Sequence, residues 1–311
     1  MALASLLFAV MGAMVKLAEQ HLPVAYPVFA RSAIGLVLSY WLVRRAGLSW
    51  RGNRPGMLAM RGIIGFSALL CTFMSIGRLP LSDVSVILMT QPIWTALGAS
   101  FFLREAAGPR VWISCGLALV GVVLVARPAF LFGADAGHLD PLGVTLALVA
   151  ALLSAAAYVT VRALRRSDHA IVVVFWFALV ATPASAPGIV IDPVLPPLAL
   201  VPVLLGIGVA VQLAQMLMTR ALHTEKASRV AAVGYLQVVY AFFLGAIFFG
   251  EPVEAMSVMG ALVVLGAAAI VTVEWGRPGP APVGPAEVPA PPDVVVVAGD
   301  DAPLDTHKQL G

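Results

Sequence analysis

An amide, an aromatic ring and a carboxylate recur at one spacing in two apolar stretches of this sequence. In the first, SVILMTQPIWTALGASFFLRE (residues 85–105), Gln91 precedes Trp94 by three residues and Glu105 by fourteen. Residues three or four apart on a helix share a face, so Gln91, Trp94 and Thr95 are expected to lie together. An amide donates and accepts hydrogen bonds, and an aromatic ring offers a flat apolar surface. The combination predicts contact with a small amphipathic solute.

The second stretch, AAVGYLQVVYAFFLGAIFFGE (residues 231–251), repeats the pattern. Gln237 precedes Tyr240 by three residues and Glu251 by fourteen. An amide without partners in hydrocarbon is strongly unfavourable, so each glutamine must face protein or a water-filled cavity. Two interpretations stay open at this point: the glutamines contact a transported solute, or they join two helices by hydrogen bonds.

These residues must be positioned by membrane helices. The chain is 60% hydrophobic and 11% charged, whereas soluble domains carry roughly 25% charged residues, so a soluble globular protein is excluded. Charge-free runs of 20 and 21 residues separate Asp83 from Arg104 and Arg229 from Glu251, and each is long enough to cross a bilayer core of ~30 Å as a helix. The same criterion predicts an all-α membrane protein with ten spans, near residues 1–18, 26–43, 58–77, 84–103, 111–126, 142–161, 170–191, 198–219, 230–249 and 255–273.

Basic residues predict the orientation of these spans, because cytoplasmic loops retain Lys and Arg. Thirteen basic residues, with Arg61 counted among them, follow the even-numbered spans, against three in the other loops. The protein is therefore expected in an inner membrane, with both termini on the cytoplasmic side. The first segment has no basic region before its apolar core, which favours a retained helix over a cleaved leader. The basic residues form no continuous face, so no nucleic-acid partner is expected.

An internal repeat organises the chain. A shift of 146 residues aligns the two opening stretches and matches Gln91 with Gln237 and Glu105 with Glu251. The ten spans divide into five and five, at residues 1–128 and 138–275. Five is an odd number, so the second repeat is expected to be inverted, an arrangement that places binding sites near the membrane midplane. Residues 276–311 are rich in proline and are expected to form a disordered cytoplasmic tail.

Several motifs in order resemble the drug/metabolite transporter superfamily, EamA-type. They are KLAEQHLPVAYPVFARSAIGLVL, RGIIGFSALL, LPLSDVSVILMTQPIWTALGASFFLRE and QMLMTRALHTEKASRVAAVGYLQVVYAFFLGAIFFGE, and the resemblance covers about residues 1–275. It implies a ten-helix secondary transporter for amino acids, nucleotide-like metabolites, vitamins or drugs, often moved outward. Arg31 matches an arginine of the family's second helix. Its counterpart in the second repeat is Phe177, so its role belongs to one repeat.

Further polar residues within the spans are candidates for the pathway. Gln212 and Gln215 lie three residues apart on the eighth span, and Tyr158 lies four residues after Ser154 on the sixth. Arg31 lies inside the second span, where a central charge costs ~2.5–3.5 kcal/mol; it is predicted either to attract an anion or to extend towards the headgroups.

Arg31 and three further residues, Pro92, Glu105 and Glu251, are candidates for gating or an electrostatic role. Pro92 removes a backbone donor and predicts a kink, whether mobile or static. Glu105 and Glu251 follow helices at opposite membrane faces, where helix capping and closure of a gate are the two interpretations.

Missing residue types narrow the function further. The sequence has no nucleophile paired with a base, no phosphate-binding loop and no metal-binding motif, so no catalytic residue, metal or cofactor is predicted, and an enzyme is not expected. The prediction is a secondary transporter that exports an amino acid or related compound by alternating access. The alternatives are an importer of a larger metabolite, such as a nucleoside-like compound or a vitamin, and a membrane enzyme or receptor that transports nothing.

Overall fold

The computed structural model describes residues 1–132, 140–191, 193–250 and 253–272. Within these ranges ten spans are long and apolar enough to cross a membrane, as the sequence predicts. Their helices are α1 (Ala2–Glu19), α2 (Ala25–Arg45), α3 (Pro55–Ile76), α4 (Leu81–Leu88), α5 (Gln91–Phe102), α6 (Pro109–Ala126), the short α7 (Ala129–Phe132), α8 (Pro141–Leu164), α9 (Ala170–Ile191), α10 (Val201–Thr224), α11 (Ala227–Val233), α12 (Leu236–Phe249) and α13 (Ala255–Thr272). Glu251 and the predicted tail lie outside the described residues.

The fourth and ninth spans are each broken into two helices, at positions that correspond to within one residue under the 146-residue shift. The fourth span consists of α4 and α5, and Pro92 stands in the first turn of α5. Proline has no N–H and crowds the preceding turn, which accounts for the break. The ninth span consists of α11 and α12, with Gly234 after the end of α11. A shift of 146 residues carries Leu81, the start of α4, onto Ala227, the start of α11.

The packing of the helices has the same internal correspondence. Spans five places apart correspond, so that α1 corresponds to α8, α2 to α9 and α3 to α10. The contact of α1 with α10 then has its counterpart in that of α8 with α3, and the contact of α2 with α10 in that of α9 with α3. The pairs α2 with α9 and α6 with α13 map onto themselves. The two halves therefore share both their helix breaks and their neighbours. Their inversion across the membrane stays a prediction.

Helices α6 and α13 approach most closely at two glycines. A Cβ atom on Gly121 would lie 2.7 Å from the carbonyl oxygen of Gly260, and one on Gly260 would lie 2.6 Å from that of Gly121. The hydroxyl of Ser114 donates to the Ala267 carbonyl across the same interface, at 2.7 Å. Small residues and an interhelical hydrogen bond are the usual means by which membrane helices pack closely.

Replacing Gly121 with alanine should therefore separate these helices. We expect the free energy of unfolding in detergent to fall by about 1–3 kcal/mol, the usual effect of overpacking. Gly116 lies on the same helix with nothing within 4 Å of a Cβ atom, so Gly116→Ala is the matched control and should be neutral or slightly stabilising. Equal losses of stability in the two variants would show that close packing at Gly121 is not the cause.

Candidate solute-binding cavity

A cavity of about 210 Å³ lies among the first, second, third, sixth, seventh, eighth and ninth spans. Its apolar walls include Phe8, Leu69, Phe177 and Met218. Its polar lining consists of Arg31, Arg61, Thr72, Ser154, Tyr158, Gln215 and Gln237. The cavity thus combines apolar surface with hydrogen-bonding groups, as binding sites for small organic molecules do.

The lining is drawn from equivalent positions of the two repeats. Phe8 corresponds to Ser154, Leu69 to Gln215, Thr72 to Met218 and Arg31 to Phe177, each pair 146 residues apart, and all eight residues line the cavity. The cavity therefore lies where the two halves meet. This is the location at which transporters built from repeats bind their solutes.

Five of the residues singled out from the sequence meet in this cavity: Arg31, Ser154, Tyr158, Gln215 and Gln237. A sixth, Gln212, lines a side chamber of about 10 Å³, together with Arg31 and Gln215. Gln212 is 4% exposed, and its side-chain nitrogen has no hydrogen-bond partner in the described structure. The chamber has room for about one water molecule, which would satisfy this nitrogen.

The other residues of the paired motif lie away from the cavity lining. The side-chain nitrogen of Gln91 donates to the Thr95 hydroxyl at 2.9 Å, and that hydroxyl donates to the Gln91 carbonyl at 2.9 Å. The Trp94 ring nitrogen donates to Thr90 at 3.2 Å, and the ring is 36% exposed. Tyr240 packs against the cluster of apolar residues that joins α6, α12 and α13. Roles for Gln91, Trp94, Thr95 and Tyr240 in binding stay predictions.

Arg61 is the cavity residue that the sequence reasoning missed. The prediction that places Arg61 among the basic residues of the loops is wrong. Arg61 lies six residues into α3, is 4% exposed, and its guanidinium stands 4.9 Å from the centre of the Phe177 ring. Pro55 provides a signal for the earlier helix start, because proline is common in the first turn of helices.

A buried cluster of charges lies one helical turn beyond the cavity. Arg162 follows Tyr158 by four residues on α8 and is 5% exposed. It donates to a Glu105 carboxylate oxygen at 2.8 Å and to the backbone carbonyls of Leu222 and His223 at 3.0 and 3.1 Å. The Arg162 cluster, as we call these four residues, joins the ends of α8 and α10 to the segment after α5.

Glu105 has further partners at this end of the bundle. A second oxygen of its carboxylate accepts from the backbone N–H of Ala227 at 3.4 Å, where α11 begins. Arg165 lies 3.7 Å from the carboxylate, and burial together with the charge of Arg162 lowers the pKa of Arg165. Glu105 thus connects three segments at one face of the bundle, an arrangement that both capping and closure of a gate require.

Comparisons with known proteins agree with this architecture. The model of the EamA-like transporter family matches residues 1–127 and 141–273. The chain is 34% identical over 264 residues to the pseudopaline exporter CntI of Pseudomonas aeruginosa. This alignment covers 85% of this chain and 91% of the exporter. The chain is 28% identical over 244 residues to human solute carrier family 35 member G1, over 74% of this chain and 66% of the carrier.

A solved crystal structure has the same fold, with a TM-score of 0.75 at 18% sequence identity, over 88% of this chain and 96% of the other. The match to the family model spans both halves of the bundle and therefore includes every helix that lines the cavity. This multi-pass membrane protein belongs to the EamA-like transporter family, within the drug/metabolite transporter superfamily.

Proposed function

We propose that this chain exports a small organic solute, an amino acid or a related compound, across the inner membrane by alternating access. The observation that carries the proposal is the cavity between the two halves, which holds the buried guanidinium of Arg61 and that of the half-buried Arg31 beside neutral donors and acceptors. An amino acid carboxylate would pair with a guanidinium. Its ammonium group would donate to the oxygens of Tyr158, Gln215 or Gln237.

The size of the cavity favours such a solute over the larger alternatives. The volume of the cavity is about 210 Å³. Pockets for drug-sized ligands occupy about 300–1,000 Å³. A nucleoside-like compound or a vitamin would require the cavity to expand, whereas an amino acid would not.

Outward transport is supported by a relative. CntI, 34% identical to this chain, is named as an exporter of pseudopaline. The excess of basic residues in the loops after the even-numbered spans supports a cytoplasmic location for both termini. We place the two repeats at residues 1–128 and 138–275 and expect them to rock against each other around the cavity.

The Arg162 cluster supplies a means of closing one end of the pathway. It lies one helical turn from the cavity, at the face that we assign to the cytoplasm, and ties three segments together by charged hydrogen bonds. Breaking these bonds would let α8, α10 and the segment after α5 separate. We propose that Glu105 and Arg162 form a gate that opens to admit the solute from the cytoplasm.

Efflux from proteoliposomes tests the proposed function. Vesicles containing the full chain would be loaded with radiolabelled alanine, glutamine, glutamate or uridine, and release would be compared with that from protein-free vesicles. We expect release of at least one amino acid above the protein-free rate and no release of uridine. Release of uridine alone would establish the larger-metabolite alternative, and release of none of the four would contradict the proposal. Accumulation of the released amino acid in the medium of expressing cells then tests direction.

A further inference from the structure

The guanidinium of Arg61 is buried, and two of its three nitrogens lack hydrogen-bond partners in the described structure. These are the Nε and Nη1 atoms, which are inaccessible to solvent. Arg61 also lines the cavity. A buried cation with unused donors is unfavourable unless an anion pairs with it. The arrangement therefore indicates an anionic group that binds from the cavity.

The surroundings of Arg61 hold the guanidinium in one place. Gly65, one turn further along α3, provides the space, because a Cβ atom there would collide with Nη1 of Arg61. The ring of Phe177 on α9 lies against the guanidinium, and such cation–π contacts orient arginine without using its N–H donors. These contacts leave the N–H donors of Arg61 without partners, and a ligand would meet the guanidinium where Arg61 lines the cavity.

Arg31 is a second cation in the same cavity. It lies six residues after the start of α2, and Arg61 lies six residues after the start of α3. Consecutive spans run in opposite directions, so the two arginines enter from opposite membrane faces, each about 9 Å along its helix at 1.5 Å per residue. Phe177 lines both the cavity and the side chamber, as Arg31 does.

Nothing in the lining offsets these two positive charges. The lining residues include no aspartate or glutamate, and neither arginine forms an ion pair in the part of the chain that the structure describes. A solute with a single carboxylate would leave one of the two cations, the buried Arg61 or the half-buried Arg31, unpaired. Two carboxylates would balance both.

We propose that the solute carries two carboxylate groups, one bound by Arg61 and the other by Arg31. This inference deepens the proposed function and rests on it. It names dicarboxylates, including amino dicarboxylates, as the substrate class. Phe177, which lies against Arg61 and lines the side chamber together with Arg31, would then contact the apolar carbons that join the carboxylates.

Ligand-dependent thermal stabilisation of the purified full chain tests the inference without transport. The probes are the dicarboxylates from succinate to adipate, each compared with its half-amide and its diamide, which have the same size and one or no charge. We expect at least one diacid to bind about 10- to 100-fold more tightly than its half-amide, the usual effect of losing a charged hydrogen-bond partner. If no diacid is preferred over its half-amide, the requirement for two carboxylates is wrong.

Variants assign the effect to the arginines. Arg61→Gln should remove the preference for the diacid over the half-amide, and Gly65→Ala should weaken diacid binding although the charge is retained, because the guanidinium must move. Arg31→Gln should act like Arg61→Gln. If all three variants keep the wild-type preference, the carboxylates bind elsewhere. If a variant does not fold, the series of ligands on the wild-type protein still decides the question.

Transport of glutamate and glutamine separates this inference from the proposed function. The two solutes differ little except in one carboxylate. Faster efflux of glutamate supports both proposals. Equal efflux of the two overturns the dicarboxylate inference while the transporter proposal stands. Binding of a diacid without efflux of any amino acid supports the inference on the site and overturns the proposed amino acid class.

Discussion

Replacing Arg162 with methionine should lower the free energy of unfolding by about 3–5 kcal/mol, the range for breaking a buried ion pair by removing one partner. Methionine fills a similar space but leaves the carboxylate of Glu105, 14% exposed, without its closest cation. The backbone carbonyls of Leu222 and His223 lose a donor in the same step. Equilibrium unfolding of the purified protein in detergent, followed by tryptophan fluorescence, measures the change.

Arg165→Met is the matched control for this prediction. Arg165 also faces Glu105, but at 3.7 Å and with 29% of its side chain exposed. Exposed ion pairs contribute about 0–1 kcal/mol, so the control should lose no more than that. A loss as large as that of Arg162→Met would show that the total charge near Glu105 matters more than the buried hydrogen bonds.

A second substitution separates the two parts of the Arg162 effect. In the double variant Arg162→Met, Glu105→Leu no unpaired carboxylate is left, and replacing both members of a buried pair by apolar residues is often neutral. We expect the double variant to regain most of the lost stability. If it is as unstable as Arg162→Met, the decisive bonds are those to the backbone carbonyls. Glu105 would then be unnecessary for closing this end of the bundle.

The membrane made most of the fold predictable from sequence. Lipid offers no hydrogen bonds, so every crossing segment must satisfy its own backbone as a helix, and charge-free runs therefore locate the spans. Pro92 predicts the break between α4 and α5 because the missing N–H is a local property. The 146-residue shift then relates this break to the one between α11 and α12.

The position of Arg61 was less predictable, because a basic residue near the end of a span has two outcomes. Its long side chain can extend towards the headgroups, or it can turn inward, and the choice depends on the helices that surround it. Gly65 lies on the same helix, but Phe177 is contributed by α9, 116 residues later. Spacing along one helix contains no information about that contact.

The two glutamines of the repeated motif show that one sequence pattern does not predict the same environment at both positions. Both belong to the same motif, yet Gln237 lines the cavity and Gln91 does not. The residue four positions later differs: Thr95 provides Gln91 with a partner on its own helix, whereas Ala241 provides none for Gln237. An amide in a membrane must be satisfied. Gln237 must therefore find its hydrogen-bond partners in the cavity. The sequence alone shows this difference, because it has Thr95 at one position and Ala241 at the other.

Gln237→Ala should lower kcat/KM for efflux of the transported solute by about tenfold or more, because a hydrogen bond to a charged solute is worth about 1.5–3 kcal/mol. Gln91→Ala should leave kcat/KM within about twofold, since its side chain already pairs with Thr95 and a typical neutral bond contributes about 1 kcal/mol to stability. Initial efflux rates at several internal solute concentrations, normalised to folded protein, provide both values.

These two variants control for each other. The substitution is the same, the positions correspond under the 146-residue shift and both side chains are half-buried, so general effects of removing the amide should be similar in both. A larger loss in Gln237→Ala assigns solute contact to the second repeat in the conformation described. The reverse order would place the contact at Gln91, and would mean that the Gln91–Thr95 bond breaks when the solute binds. Equal losses would indicate that the cavity passes from one glutamine to the other during transport, as rocking of two repeats around one site requires.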